Sequence, residues 1–479
     1  MSPTASKPEV IALDDWVAAQ ARFSSSAALA AISATHLVME RPGFGQRIVP
    51  LPGSVLASPA VAHYDPEPDY FFHWFRDSAI VIDALRIASS ESDGGGQVLD
   101  RLAEFVDFSL RLGAIEGATF LRDADPAART QPAYRQYLRP DAELAALSGA
   151  RLATDVRVNA DCTPDFQRWG RPQFDGPALR YLTLLRWERQ LSWTQVALRA
   201  RLGELSDGDL TLTLDCADEP CIDIWEEQRG YHYYTQLVQA EALRLGAAWC
   251  ERHQQAERAA RCLAARQRID RRLEASWSEG AGFYRARTAV PPDAPTAEPD
   301  IAVILAVLHA GRTEGTHSVL DPRVQSTLNV LEELFEHEYP INRGLPPERA
   351  PAMGRYASDR YYGGGAWFVA TLAAAEFYFQ LAFALRTGAS IAESQDNRRF
   401  RHRLASASAA IVGEPLASAA LRRGDAFLRT VQAFAPPGGE LSEQFDRTTG
   451  AATSARRLTW SYAAFITAAA TRARALRPI

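Results

Sequence analysis

An all-α fold, arranged as a ring of helix pairs, is predicted by three features of this chain. Long apolar or amphipathic stretches rich in Ala and Leu recur from end to end. Strand-like alternation is scarce and short, with Val49–Leu56 and Leu210–Leu214 as its best examples, so a helical class is favoured. One order of parts also repeats five times: a polar, aromatic loop leading into an apolar helix. If those helices run side by side in one direction, their loops meet at one end. Each then needs a return helix, and the result is a ring of helix pairs with a funnel at the helix N-termini. Acids and aromatics on loops over a rigid scaffold are where function usually lies.

The five units follow in order. Asp69-Tyr70-Phe71-Phe72-His73-Trp74-Phe75-Arg76-Asp77-Ser78 leads into Ala79–Ala88. Arg168-Trp169-Gly170-Arg171-Pro172-Gln173-Phe174-Asp175-Gly176 leads into Pro177–Leu191, with Pro177 suited to a first helical turn. Cys221–Gly230, with Glu226 and Glu227 adjacent, leads through Tyr231-His232 into Tyr233–Cys250. Gly354–Tyr362 leads through three glycines into the helix after Trp367, and Ser442–Asp446 leads, after a turn at Thr449-Gly450, into Leu458–Ala473. Two long loops are expected, Arg122–Asp175 and the proline-bearing Ala289–Pro299. Neither separates regions of different composition, so residues 1–479 read as a single domain.

Composition sets bounds. The chain has 479 residues, is 47% hydrophobic and carries a formal net charge of −6. A sizeable core is affordable, and with no basic excess to neutralise phosphates a nucleic-acid partner is not expected. Basic pieces such as Arg398-Arg399-Phe400-Arg401 read as solvated helix faces. Five cysteines, an odd number without a CxxC, indicate neither a disulfide framework nor a zinc site. The nine histidines show no metal-ligand spacing, and Gly363–Gly365 is not a phosphate loop, since no Lys-Ser or Lys-Thr follows. Cofactors are therefore not expected. Ala366–Leu385 nearly reaches membrane length, but Glu376 in its middle would be costly in lipid, so a buried helix is predicted. With no basic-then-apolar leader visible, the expected location is cytoplasmic, without membrane attachment.

The central stretch, CIDIWEEQRGYHYYTQLVQAEAL, carries the chemistry. An acid against an aromatic wall is partly desolvated, its pKa rises, and it can donate a proton near neutrality. Alone, the stretch fits equally well a capped helix start with an exposed Glu pair.

Taken together, the motifs are recognisable. PDYFFHWFRDS, WGRPQFDGPALR, DIWEE, GRYASDRYYGGGAW and LSEQFDRTTGAATSARRLTWSYAAFITA, in this order, resemble the characteristic segments of the glucoamylases, glycoside hydrolase family 15, over roughly Trp16–Arg472. The resemblance implies an (α/α)6 barrel and an inverting exo-acting α-glucosidase that takes glucose from the non-reducing ends of α-1,4-linked maltooligosaccharides or soluble glucans. It implies Glu226 as general acid and Glu443 as general base. It places Glu227 near the leaving-group sugar, where its charge would help keep Glu226 protonated. Arg76, Asp77 and Arg355 would hold hydroxyls of the terminal glucose, and Tyr70 would lie under the developing oxocarbenium ion. Trp74, Trp169, Tyr361 and Trp460 would line the funnel, with Ser454 beside the base.

The chain also departs from the family. Gly363-Gly364-Gly365-Ala366-Trp367 stands where many fungal members carry Asn-Gly-Asn-Pro-Trp, which leaves the preference beyond the first glucose open. No separate starch-binding module is expected on either side of the barrel. The family also contains α-1,6-acting glucodextranases and some trehalases, so these linkages remain alternatives. So does a catalytically silent sugar-binding protein on the same barrel.

Overall fold

The computed structural model describes residues 12–63, 66–89, 95–289, 299–408 and 415–477. Most of Ala289–Pro299 lies outside them. Twelve helices make the ring: α1 (Leu13–Ala30), α2 (Phe75–Ser89), α3 (Gly95–Leu112), α4 (Asp175–Glu188), α5 (Val196–Asp215), α6 (Tyr233–Arg252), α7 (Ala256–Ala275), α8 (Ala302–Ala310), α9 (Pro322–Glu338), α10 (Phe368–Arg386), α11 (Leu416–Phe434) and α12 (Thr459–Leu476). The even-numbered helices pack side by side in the order α2–α4–α6–α8–α10–α12, and α12 closes back on α2. The odd-numbered helices lie outside and return the chain, as the alternation of loop and helix predicts.

The two layers differ in their sequences. Inner helices are apolar on nearly all sides: α6 buries an unbroken run from Tyr233 to Leu243, and α8 one from Ala302 to Leu308. Such helices belong in a core. Outer helices are amphipathic. In α7 the buried residues Ala259, Cys262, Ala265, Ile269 and Leu273 recur at helical spacing beneath an arginine-rich face. At the start of α9, Asp321 accepts from the Arg323 amide at 2.8 Å while Pro322 occupies the first turn, so the helix is capped where its amides have no partner of their own.

Helix α10 is long and apolar enough to cross a membrane by length and composition, yet most of it is buried inside the ring. Glu376 on this helix is partnered: Thr467 Oγ1 and Gln380 Nε2 donate to its two oxygens at 2.6 and 3.0 Å.

The strand expectations fail at both places. Leu210–Leu214 lies inside α5. Its Leu-Thr alternation mimics a strand, but the hydroxyls of Thr211 and Thr213 donate to the carbonyls of Asp207 and Asp209, four residues back, at 2.9 and 2.7 Å. The β-branched residues are thereby satisfied within the helix. In Val49–Leu56 the ladder has already ended at Ile48. Two prolines there remove donors, and only Val55 makes an isolated bridge, to Ile32. Arg122–Asp175 carries several short helical turns and is pinned by buried ion pairs, Arg157–Asp165 at 2.8 Å and Arg139–Asp155 at 2.9 Å.

Short strands tie the loops to the helix ends. Cys221–Ile222 pairs with Arg229–Gly230, leaving 223–228 as a projecting hairpin loop. Ala366–Trp367 pairs with Phe445 and Gln444, and Gln444 pairs in turn with Thr453, so Glu443 and Ser454 lie opposite each other.

Candidate active site

The hairpin loop 223–228 holds Glu226 by its backbone. Asp223 accepts from the amides of Glu227 and Gln228 at 2.7 and 3.1 Å, and the Glu226 amide returns to the Asp223 carbonyl at 3.0 Å. Glu226 itself sits at φ 68°, a left-handed conformation unusual for a residue with a Cβ and often found at functional sites. The neighbouring loop comes so close that a Cβ on Gly170 would stand 2.7 Å from the Glu226 carbonyl oxygen, and only glycine fits there.

That approach delivers Trp169. Its indole N–H donates to Oε2 of Glu226, and the Trp74 N–H donates to Oε1 at 2.7 Å. Gln173 Nε2 reaches Oε1 at 3.4 Å, and Arg76 Nη2 lies 3.6 Å from the same atom. Both indoles therefore present their polar edges, not their faces. The apolar wall expected from the sequence is, at this carboxyl, a pair of hydrogen-bond donors.

Glu227 points to a different set of partners. Arg355 Nη2 donates to its Oε1 at 2.9 Å and the Tyr356 hydroxyl to its Oε2 at 2.5 Å. Glu227 thus engages Arg355 and Tyr356, not the partners of Glu226. Arg355 is in turn gripped by Asp359, with bonds of 2.7 and 2.6 Å, and is 2% exposed. Burial works against this guanidinium, but its two carboxylate partners raise its pKa well above the ordinary arginine value.

Arg76 occupies the start of α2 and Asp77 follows it, both buried. Arg76 Nη1 donates to Gln173 at 2.7 Å and to Asp175 at 3.3 Å. Its Nε faces Asp77 Oδ2 at 3.4 Å, yet neither atom has a hydrogen-bond partner within the described chain. The indole nitrogens of Trp367 and Trp460 are likewise buried and unpaired. All four atoms belong to residues that line one cavity. Burial pushes the Asp77 carboxyl up to about 6 against the pull of Arg76.

Glu443 is 3% exposed. Burial pushes its carboxyl up to about 7, although the Ser454 hydroxyl, Arg355 and Tyr70 all favour the ionised form. Ser454 donates directly to Oε2. Tyr70 and Tyr361 share a hydroxyl–hydroxyl bond of 2.6 Å.

Every residue expected from the sequence except Ser454 lines a single cavity of about 910 Å³ counted out to its mouth, and Ser454 touches it through Glu443. All five loops contribute. Sequence reasoning missed Gln173, Asp175, Tyr356 and Asp359, although all four lie within the quoted motifs. It also missed the Trp225 N–H to Asp300 contact at 2.9 Å, because no local signal links those positions.

Two carboxyl groups in one cavity, with aromatic rings and arginine forks around them, are the equipment for hydrolysing a glycosidic bond. The fold and site thus define a glycoside hydrolase. The family description "Glycosyl hydrolases family 15" matches residues 153–470, and the chain belongs to that family. It is similar to glucoamylase 1 of Rhizopus oryzae, with 27% identity over 434 residues, covering 87% of this chain and 67% of that protein. The probable glucoamylase of Schizosaccharomyces pombe is 28% identical over 442 residues, covering 87% and 84%. Among solved structures, the glucoamylase from Saccharomycopsis fibuligera superposes with a TM-score of 0.78 at 21% identity, covering 98% of this chain and 96% of that one. The family 15 glucoamylase from Hypocrea jecorina gives 0.77 at 24% identity, covering 98% and 73%. These likenesses agree with the (α/α)6 ring.

Proposed function

We propose that the protein is an inverting, exo-acting α-glucosidase that releases glucose from the non-reducing ends of α-1,4-linked maltooligosaccharides or soluble glucans. The observation that carries this reading is the meeting of Glu226 and Glu443, from loops far apart in sequence, in one cavity walled by Trp74, Trp169 and Trp460. The relatives named glucoamylase support the substrate class.

In this reading Glu226 gives its proton to the glycosidic oxygen as that bond to the anomeric carbon breaks. Trp74 and Trp169 fix the direction of its two oxygens. Glu443 takes a proton from water, whose oxygen attacks the anomeric carbon from the other side, so the proton lost to the leaving group is replaced from solvent. Arg76, Asp77 and Trp460, which line the same cavity, hold hydroxyls of the terminal glucose. Glu227, Arg355 and Tyr356 form a polar rim for the departing sugar.

Proton NMR of the products from maltotriose, isomaltotriose and trehalose tests linkage and stereochemistry together. β-Glucose appearing first, and fastest from maltotriose, is the expected result. Faster release from isomaltotriose or trehalose moves the enzyme to one of the other linkages, and α-glucose as first product removes the inverting mechanism.

A further inference from the structure

We infer that Tyr137, with Tyr134 and Arg168 beside it, forms a second glucan-binding platform outside the cavity, where the sugar units trailing from the cleaved end come to rest. This rests on the glucan-hydrolase reading of the site. Helix α2 runs away from the cavity and α3 brings the chain back, so the segment between Leu112 and Asp175 leaves and rejoins the ring at its funnel end. Within it, Pro132–Tyr137 forms a 3-10 turn that exposes two aromatic rings, Tyr134 at 42% and Tyr137 at 53%. Exposed aromatic faces at a mouth lined with Trp169 suit a ligand with flat apolar faces and polar edges, as a sugar ring has.

The platform joins the active site through the backbone. Arg168 N donates to Tyr137 O at 2.7 Å, and Leu138 bridges Gln167 in an antiparallel pair. Trp169, which holds Glu226, is the next residue along, so Tyr137 and Trp169 lie within about 10 Å at their Cα atoms. Arg168 is exposed and tethered through Nε to the Leu138 carbonyl at 2.9 Å, which aims its terminal nitrogens without engaging them among the described residues. The two tyrosine rings stand 6.4 Å apart and are inclined at 61°. Tyr134 thus packs edge to face with Tyr137 and braces its ring. Tyr134 is additionally fixed against Gly43 and Phe44 and sets the turn. Tyr137 is the freer ring and the one to substitute.

The test compares maltose, whose two units flank the cleaved bond, with maltoheptaose. Tyr137→Ala should raise KM for maltoheptaose about three- to tenfold, the value of one aromatic contact, and leave kcat and both maltose constants unchanged. Tyr137→Trp, which keeps a flat face, should hold the maltoheptaose KM at or below the wild-type value. Unchanged maltoheptaose kinetics in the alanine variant, an equal loss on both substrates, or a raised KM in the tryptophan variant overturns the platform. Wild-type protein that releases glucose from neither sugar instead overturns the underlying reading of the site.

Discussion

The Ser454 hydroxyl donates to Oε2 of Glu443 from a left-handed backbone position, φ 62°, just past the strand Ala452–Thr453. A donor on a carboxylate favours its ionised form, the form a general base needs. Burial has pushed Glu443 up to about 7, so the acid limb of kcat/KM should fall near that pH. Ser454→Ala removes the donor and should move that limb to higher pH by about one to two units, as expected for one charge-assisted hydrogen bond. A kcat/KM–pH profile with an unmoved acid limb would separate Ser454 from the base.

Glu443→Gln should lower turnover by about 10²- to 10⁴-fold while maltose still binds. It also changes stability, with a definite sign. A carboxyl whose folded pKa of about 7 lies above its ordinary value of 4.5 stabilises the fold fully below the lower value. That contribution fades as pH rises through the upper one. At pH 8 the wild type must hold a buried charge, at a cost on the order of 3 kcal/mol. The amide has no such cost, so its Tm should exceed the wild-type Tm at pH 8 and match it near pH 4. Thermal unfolding at the two pH values reads this directly.

Trp169→Phe keeps a ring beside Glu226 and deletes the N–H. If the indole orients the acid, kcat should fall by about three- to tenfold with little change in KM for maltose, since one hydrogen bond to the protonated carboxyl is lost. A KM effect alone would make Trp169 a binding surface only.

Asp359→Asn weakens the two-point grip on Arg355. The expected loss in kcat/KM is about tenfold or more. Because Asp359 acts through Arg355, the double variant with Arg355→Lys should be no worse than Arg355→Lys alone, the mark of a shared pathway. Additive losses measured in that cycle would give Asp359 a separate role.

Much of this site was legible in the sequence because its polar residues sit immediately before apolar helices, and that order fixes which end of the ring they reach. Glu226, Glu443, Arg76 and Arg355 needed only this rule and the resemblance of their motifs. What was not legible is pairwise. Nothing in the order of residues shows that Glu227 would engage Arg355 and Tyr356, or that Trp74 and Trp169 would turn their N–H edges to Glu226. Leu210–Leu214 misled for a related reason. Alternation is a local pattern, and the threonine hydroxyls bonding back along α5 settle the conformation.

Closure of the ring has a consequence for how activity arises during synthesis. Helix α12 packs against both α1 and α2, and the cavity draws Tyr70 and Trp74 from the first quarter of the chain but Glu443 and Trp460 from its last stretch. A ribosome-bound chain that has not yet emerged past residue 443 lacks one wall and the Glu443 carboxyl together. Hydrolysis therefore switches on only as the final inner helix docks, and glucose release serves as a direct reporter that the two ends of the polypeptide have met.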